Sequence, residues 1–165
     1  MSVEKQEALL EDAITNLCCE HRFTISSAES CTGGLVAGTL INAAGVSAVY
    51  KEGFITYSNE SKHNRLGVKK ETLDQFGAVS EETAKEMASG CAKNTGSDFS
   101  IVTTGIAGPD GGSQEKPVGL VYIGCYAKGL VVVEKHLYQG DRQAVRSQTV
   151  DDALQLLFDM ILITI

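Results

Sequence analysis

Apolar residues recur at three- and four-residue steps through Leu10, Ala13, Ile14, Leu17 and Cys18. That spacing places them on one face of an amphipathic helix over roughly residues 4–20. Phe23 to Ser27 reads as a short strand, broken at Thr32-Gly33-Gly34, and Leu35 to Asn42 resumes a helical pattern. The aromatic and β-branched run Gly53 to Ser58 predicts a second strand. Ser58 or Asn59 can cap a short helix carrying Lys62, and another short helix falls near Lys70 to Phe76. Ser80, followed by Glu81 and Glu82, opens a helix to about Asn94, its acids set against the positive helix end. Ala84, Met87, Ala88 and Cys91 form the inner face of that helix. Phe99 to Thr103 is a buried strand, and the glycine-rich run from Gly105 to Gly112 after it excludes regular structure. Val118 to Ala127 and Leu130 to Tyr138 are strands joined at Lys128-Gly129, a hairpin signal. Asp141 starts a last helix whose apolar contacts come from Val145, Val150, Ala153, Leu154, Leu157 and Ile161.

Alternation of helices and strands with one β-hairpin predicts an α/β fold: a three-layer α/β/α sandwich on a mixed, mostly parallel sheet. The 165 residues carry no repeat or linker and are expected to form a single domain over 1–165. Hydrophobic residues are 43% and charged residues 21%, a globular composition. The net charge of −7 argues against a nucleic-acid binder, which needs clustered Lys and Arg. It leaves room for a phosphorylated small molecule held by one local cation. The N-terminus lacks a signal-peptide pattern, and Met160 to Ile165 is far short of the about 20 residues that span a bilayer. No membrane association is expected. Five scattered cysteines (Cys18, Cys19, Cys31, Cys91, Cys125) read as reduced thiols and a cytoplasmic protein. His21, His63 and His136 are isolated, so no metal site is expected.

Three segments carry candidate chemistry. Ala28-Glu29-Ser30-Cys31-Thr32-Gly33-Gly34 runs from a strand through a glycine turn into a helix, delivering a side chain to the carboxyl edge of a sheet. Free amides there can hold an oxyanion or a phosphate. On pattern alone, Ser30 and Thr32 read equally as helix caps or as parts of a site. Cys31 is a rival nucleophile, but a cysteine usually relies on a histidine, and none sits in a site-like segment. A serine can instead use a lysine whose pKa burial has lowered, which draws attention to Lys62; a solvated helix lysine is the plainer alternative. Tyr57 can relay a proton or serve as a rim aromatic. Thr104 and Gly105, after the third strand, suit an anion or carbonyl oxygen. Arg142, at a helix start where it opposes the dipole, can bind phosphate; Arg146, one turn on, is a second contact or a surface charge.

Together with Thr56 to Lys62, Gly77-Ala78-Val79-Ser80, Thr104 to Pro109, Lys116-Pro117-Val118-Gly119 and Gly140-Asp141-Arg142, the Ser30 segment resembles the CinA C-terminal-domain family over nearly the whole chain. The resemblance implies a nicotinamide-nucleotide amidase that converts nicotinamide mononucleotide to nicotinic acid mononucleotide and ammonia. It implies catalytic roles for Ser30, Lys62 and Tyr57, and substrate contacts from Thr32, Gly33, Gly34, Thr104, Gly105 and Arg142. It further implies no metal or organic cofactor and a homo-oligomer. The nucleotide-hydrolysing domain of longer members is expected to be absent from a chain of this length. Two other readings are a catalytically inactive pyridine-nucleotide-binding or regulatory paralogue and a Cys31-dependent hydrolase.

Overall fold

The computed structural model describes residues 9–165. In chain order the elements are α1 (Leu10–His21), β1 (Ile25–Glu29), α2 (Leu35–Leu40), a 3-10 turn (Val46–Ala48), β2 (Tyr50–Ile55), α3 (Asn59–Leu66), α4 (Lys70–Phe76) and α5 (Glu81–Thr95). There follow β3 (Phe99–Gly105), β4 (Leu120–Ala127), β5 (Leu130–Leu137) and α6 (Arg142–Thr164). The sheet order is β2-β1-β3-β4-β5. Strands β2, β1 and β3 are parallel, whereas β4 and β5 pair antiparallel. The fold is therefore α/β on a mixed sheet, with helices on both faces.

Strand alternation divides the core. Ile25, Phe99, Ile101, Val121, Ile123 and Cys125 pack with Ile14 and Cys18 of α1, Val36 and Leu40 of α2, and Leu157 and Ile161 of α6. Ala28 and Val102 point the other way, onto Leu66, Leu73, Met87, Ala88 and Cys91 of α3, α4 and α5. Ser58, Ser80 and Asp141 cap α3, α5 and α6, each accepting from a backbone N–H three residues on. Lys128 and Gly129 both take positive φ (47° and 101°), as a tight two-residue hairpin requires.

The strand limits differ from the sequence pattern in a consistent way. β1 continues past Ser27 to Glu29, β3 continues to Gly105, and β2 starts at Tyr50 and stops at Ile55. The polar residues that end the apolar pattern are buried and satisfied. Ser26 Oγ lies 2.6 Å from Ser97 Oγ, and Ser27 Oγ 2.7 Å from the Tyr50 hydroxyl. β2 is an edge strand with exposed Lys51 and Glu52, so its first half carries no apolar signal. α2 is shorter than expected, ending at Leu40, and the predicted start of α1 at residues 4–8 lies outside the described residues.

Candidate active site

Register brings three strand ends together. Glu29 pairs with Ile55 on one side and Thr103 on the other. The ladder continues one step further, as Ser30 N–H donates to Thr103 O (3.0 Å) and Thr56 N–H to Glu29 O (2.9 Å). Ser30 leaves the central strand of a parallel triplet at its carboxyl edge, where open α/β sheets hold ligands.

Lys62 reaches this edge from α3. Its Nζ donates to Ser30 Oγ at 3.1 Å and to Thr56 O at 2.8 Å, and the side chain is 1% exposed. Burial disfavours the ammonium and lowers the Lys62 pKa to about 8. An amine that loses one proton here can keep the Thr56 bond and turn its lone pair to the serine O–H. The contact is direct, and Tyr57 does not stand between them. Tyr57 lies two residues beyond the end of β2, is 64% exposed, and accepts from Arg142 Nη2 at 3.3 Å. It belongs to the rim.

Cys31 adjoins Ser30, but burial pushes its thiol up to about 11, so the sulfur is protonated at neutral pH. That removes the thiolate on which a cysteine mechanism depends.

Ser30, Cys31, Tyr57, Lys62, Thr104, Gly105 and Arg142 all line one open cavity of about 260 Å³. Ala78 and Val79, from the segment before α5, line it as well, as do Ile106, Ala107, Gly108, Asp110 and Gly111 of the loop after β3. Thr104 Oγ1 donates to Ala78 O (2.7 Å), so towards the cavity it can act only as an acceptor. A Cβ at Gly105 would sit 2.5 Å from Val121 Cγ2 and 2.9 Å from Leu120 O, which is why β3 ends on glycine. Arg142 Nη1 donates to Gly108 O at 2.8 Å, and the guanidinium keeps further N–H groups for a ligand. The ionic groups on the lining are Lys62, Arg142 and the single carboxylate Asp110, so a chain of net charge −7 has a cationic balance here.

Thr32, Gly33 and Gly34 stand differently from the sequence expectation: they lie behind the cavity, not on its lining. The cause is Glu29, a buried carboxylate at the end of β1. It accepts from Thr32 Oγ1 (2.5 Å), Val36 N–H (2.8 Å) and Ala37 N–H (3.0 Å), and so fills the start of α2 from below. Thr32 Oγ1 also lies 2.8 Å from Thr103 Oγ1, Gly33 N–H donates to Ser30 O (3.1 Å), and Gly34 packs on Ile55. Arg146 is neither a ligand contact nor a free surface charge. Its Nε donates to Cys31 O (3.0 Å) and its Nη2 to Thr32 O (3.1 Å).

The sequence pattern assigned no individual role to Glu29, the Thr56 carbonyl, or Ala78 and Val79. Glu29 had a signal, an acid embedded in a strand next to Ser30; a backbone carbonyl leaves none. Among the described residues, no His, Cys, Asp or Glu side chains gather in a metal-binding cluster, and no helix is long and apolar enough to cross a membrane.

Comparison with known proteins agrees with this architecture. The chain is 57% identical over 148 residues to a Clostridium beijerinckii protein with the name of a competence-damage inducible protein, covering 90% of this chain and 36% of that one. A Clostridioides difficile relative of the same name is 53% identical over 157 residues, covering 95% and 38%. The chain thus spans little more than a third of the length of these curated relatives. Among solved structures, the competence/damage inducible protein CihA of Agrobacterium tumefaciens superposes with a TM-score of 0.87 at 42% identity, covering 97% of this chain and 99% of that one. A CinA superfamily protein from Klebsiella pneumoniae gives 0.88 at 34% identity, covering 92% and 95%. Residues 7–161 match the model of the CinA C-terminal domain, and the chain belongs to that family.

Proposed function

We propose that the protein is an amidohydrolase that cleaves the carboxamide of nicotinamide mononucleotide, with Ser30 as nucleophile and Lys62 as base. The observation that carries this reading is the 3.1 Å contact between Ser30 Oγ and a buried Lys62 Nζ whose pKa lies near 8. A base poised close to working pH is what general-base catalysis requires.

Lys62, neutral, takes the Ser30 proton as Oγ attacks the amide carbon. Of the turn after Ser30, Cys31 lines the cavity, and its backbone N–H is the donor that holds the oxyanion, a contact of this kind lowering the barrier by about 3–4 kcal/mol. The Lys62 ammonium returns its proton to the departing nitrogen, which leaves as ammonia. Water then attacks the acyl-enzyme, giving up a proton to Lys62, which returns it to Ser30 Oγ as the acyl–oxygen bond breaks and the acid leaves. Thr104 Oγ1, an acceptor on the lining, suits the N–H of a carboxamide.

The cavity lies just below the usual range of ligand pockets, about 300–1,000 Å³. It suits the pyridine carboxamide, while the ribose phosphate lies across the mouth, where Arg142 offers N–H groups to the phosphate. Remote binding of this kind positions the reacting amide. The test is ammonia release from nicotinamide mononucleotide and nicotinamide riboside side by side. The mononucleotide should be the faster substrate at equal low concentration. Equal rates would remove the phosphate role of Arg142, and release from neither would remove the amidase.

A further inference from the structure

Asp110 is the one carboxylate residue on the cavity lining, and the serine mechanism has no use for it. Its segment, Gly108-Pro109-Asp110-Gly111-Gly112, has turn composition, in which an aspartate commonly secures its own loop. Here the loop is secured by other groups. Gly108 and Gly111 supply left-handed backbone, at φ +81° and +89°. A Cβ at Gly108 would lie 2.5 Å from Val118 Cγ1 and one at Gly112 2.7 Å from Val118 N, so both ends of the segment press onto Val118. Arg142 Nη1 donates to Gly108 O, Gly119 N–H to Ile106 O and Ser113 N–H to Lys116 O, each at 2.8 Å. None of these bonds uses the Asp110 side chain. The loop carries the aspartate and does not depend on it.

Asp110 and Arg142 line the same cavity with opposite charges, yet they do not pair. Arg142 donates to Gly108 O and to the Tyr57 hydroxyl, and Asp110 enters none of the ion pairs among the described residues. Both residues are exposed, and opposite charges in water gain little from each other. A ligand that carries both signs can engage both. Nicotinamide mononucleotide is such a ligand, with a permanently cationic pyridinium ring and an anionic phosphate. The pyridinium nitrogen has neither a proton to donate nor a lone pair to offer, so charge is the one handle on it.

We infer that Asp110 is a specificity residue whose carboxylate pairs with the positive charge of the pyridinium ring, so that the site selects a cationic aromatic amide over a neutral one of the same shape. This rests on the substrate proposed above. Arg142 and Asp110 then divide the ligand between them, the guanidinium taking the phosphate and the carboxylate the ring. Lys62, neutral when it acts as base, does not oppose the ring charge.

The test compares nicotinamide mononucleotide with a neutral C-nucleoside analogue in which benzamide replaces the pyridinium ring while carboxamide, ribose and phosphate are kept. Dissociation constants are measured by calorimetry on the full chain carrying Ser30→Ala, and kcat/KM for ammonia release on the chain with Ser30 intact. With Asp110 present, the mononucleotide should bind about tenfold tighter than the analogue at low salt, a value between those of exposed and desolvated charge pairs. Asp110→Asn, close in shape and exposed on a loop, should bring that binding ratio to within about twofold of one and lower the kcat/KM ratio by the same factor. Raising salt to about 0.5 M should shrink the preference shown with Asp110 and leave that of Asp110→Asn where it was. A binding preference that is absent from the start, or that survives Asp110→Asn, would overturn the assignment. A preference that vanishes in Asp110→Asn while neither compound releases ammonia would uphold Asp110 as the reader of ring charge and overturn the amidase.

Discussion

Lys62 and Tyr57 sit a few residues apart in sequence and line the same cavity, yet one is 1% exposed and the other 64%. The inner end of the cavity is dry: Lys62, Ser30 and Thr56 O form a closed set of contacts, and desolvation moves the amine towards neutrality. The mouth is open: the exposed Arg142 bridges Tyr57 and Gly108 and keeps further N–H groups for a ligand. The difference separates two tasks. A proton acceptor must lose its charge near working pH, which burial accomplishes, whereas an anion-binding cation must keep its charge and stay accessible.

The strongest way to break the comparison is at the dry end. Lys62→Met should lower kcat by about 10²–10⁴-fold, the usual worth of a positioned base. It should also raise the melting temperature by several degrees at neutral pH, because an apolar side chain replaces a buried amine. The sign can be checked against pH. The folded pKa of Lys62, about 8, lies below its ordinary value of 10.5, so between those limits the unfolded chain binds more protons. Wild-type stability should therefore gain on Lys62→Met as pH rises from about 8 to 10.5, and thermal melts across that window would show it. A constant difference would mean that Lys62 is not desolvated.

At the open end, Arg142→Ala should raise KM for nicotinamide mononucleotide by about 10–100-fold with kcat little changed, and leave the riboside unaffected. A kcat loss without a KM change would move Arg142 into the chemistry and erase the distinction between the two ends. Smaller still is the dependence on pH. kcat/KM should fall about tenfold per pH unit below about 8 and level off above it, since only neutral Lys62 accepts the serine proton. The same profile in Lys62→Met, at lower amplitude, would assign the titration to another group. The least effect is expected from Cys31→Ser, whose turnover should stay within about threefold of wild type, because a thiol held near 11 supplies no thiolate.

The elements were legible where apolar periodicity was strong, as in α5, β4, β5 and α6. They were least legible at the ends of β1 and β2, the strands that build the site. The reason is physical: Ser26, Ser27 and Glu29 occupy a fully buried strand and are satisfied by tertiary partners that sequence spacing does not reveal. Ser30, Lys62, Thr104 and Arg142 were recognisable as candidates because each follows a strand or opens a helix. Their convergence depends on the parallel register Ile55–Glu29–Thr103, which is a property of the folded sheet. Glycines gave the opposite lesson. Gly33 and Gly34 suggested a ligand cradle, yet they serve the turn itself, packed on Arg146 and Ile55. A glycine beside a nucleophile marks close approach, and here what approaches is the protein's own side chains.

The central claim is that Ser30, activated by Lys62, hydrolyses a carboxamide. Its most direct test is ammonia release from nicotinamide mononucleotide by wild type and Ser30→Ala, compared at pH 8.5 in preparations of matched melting temperature. The account predicts release by the wild type and a loss of about a thousandfold or more in the variant. Release at the same rate from both proteins would contradict it.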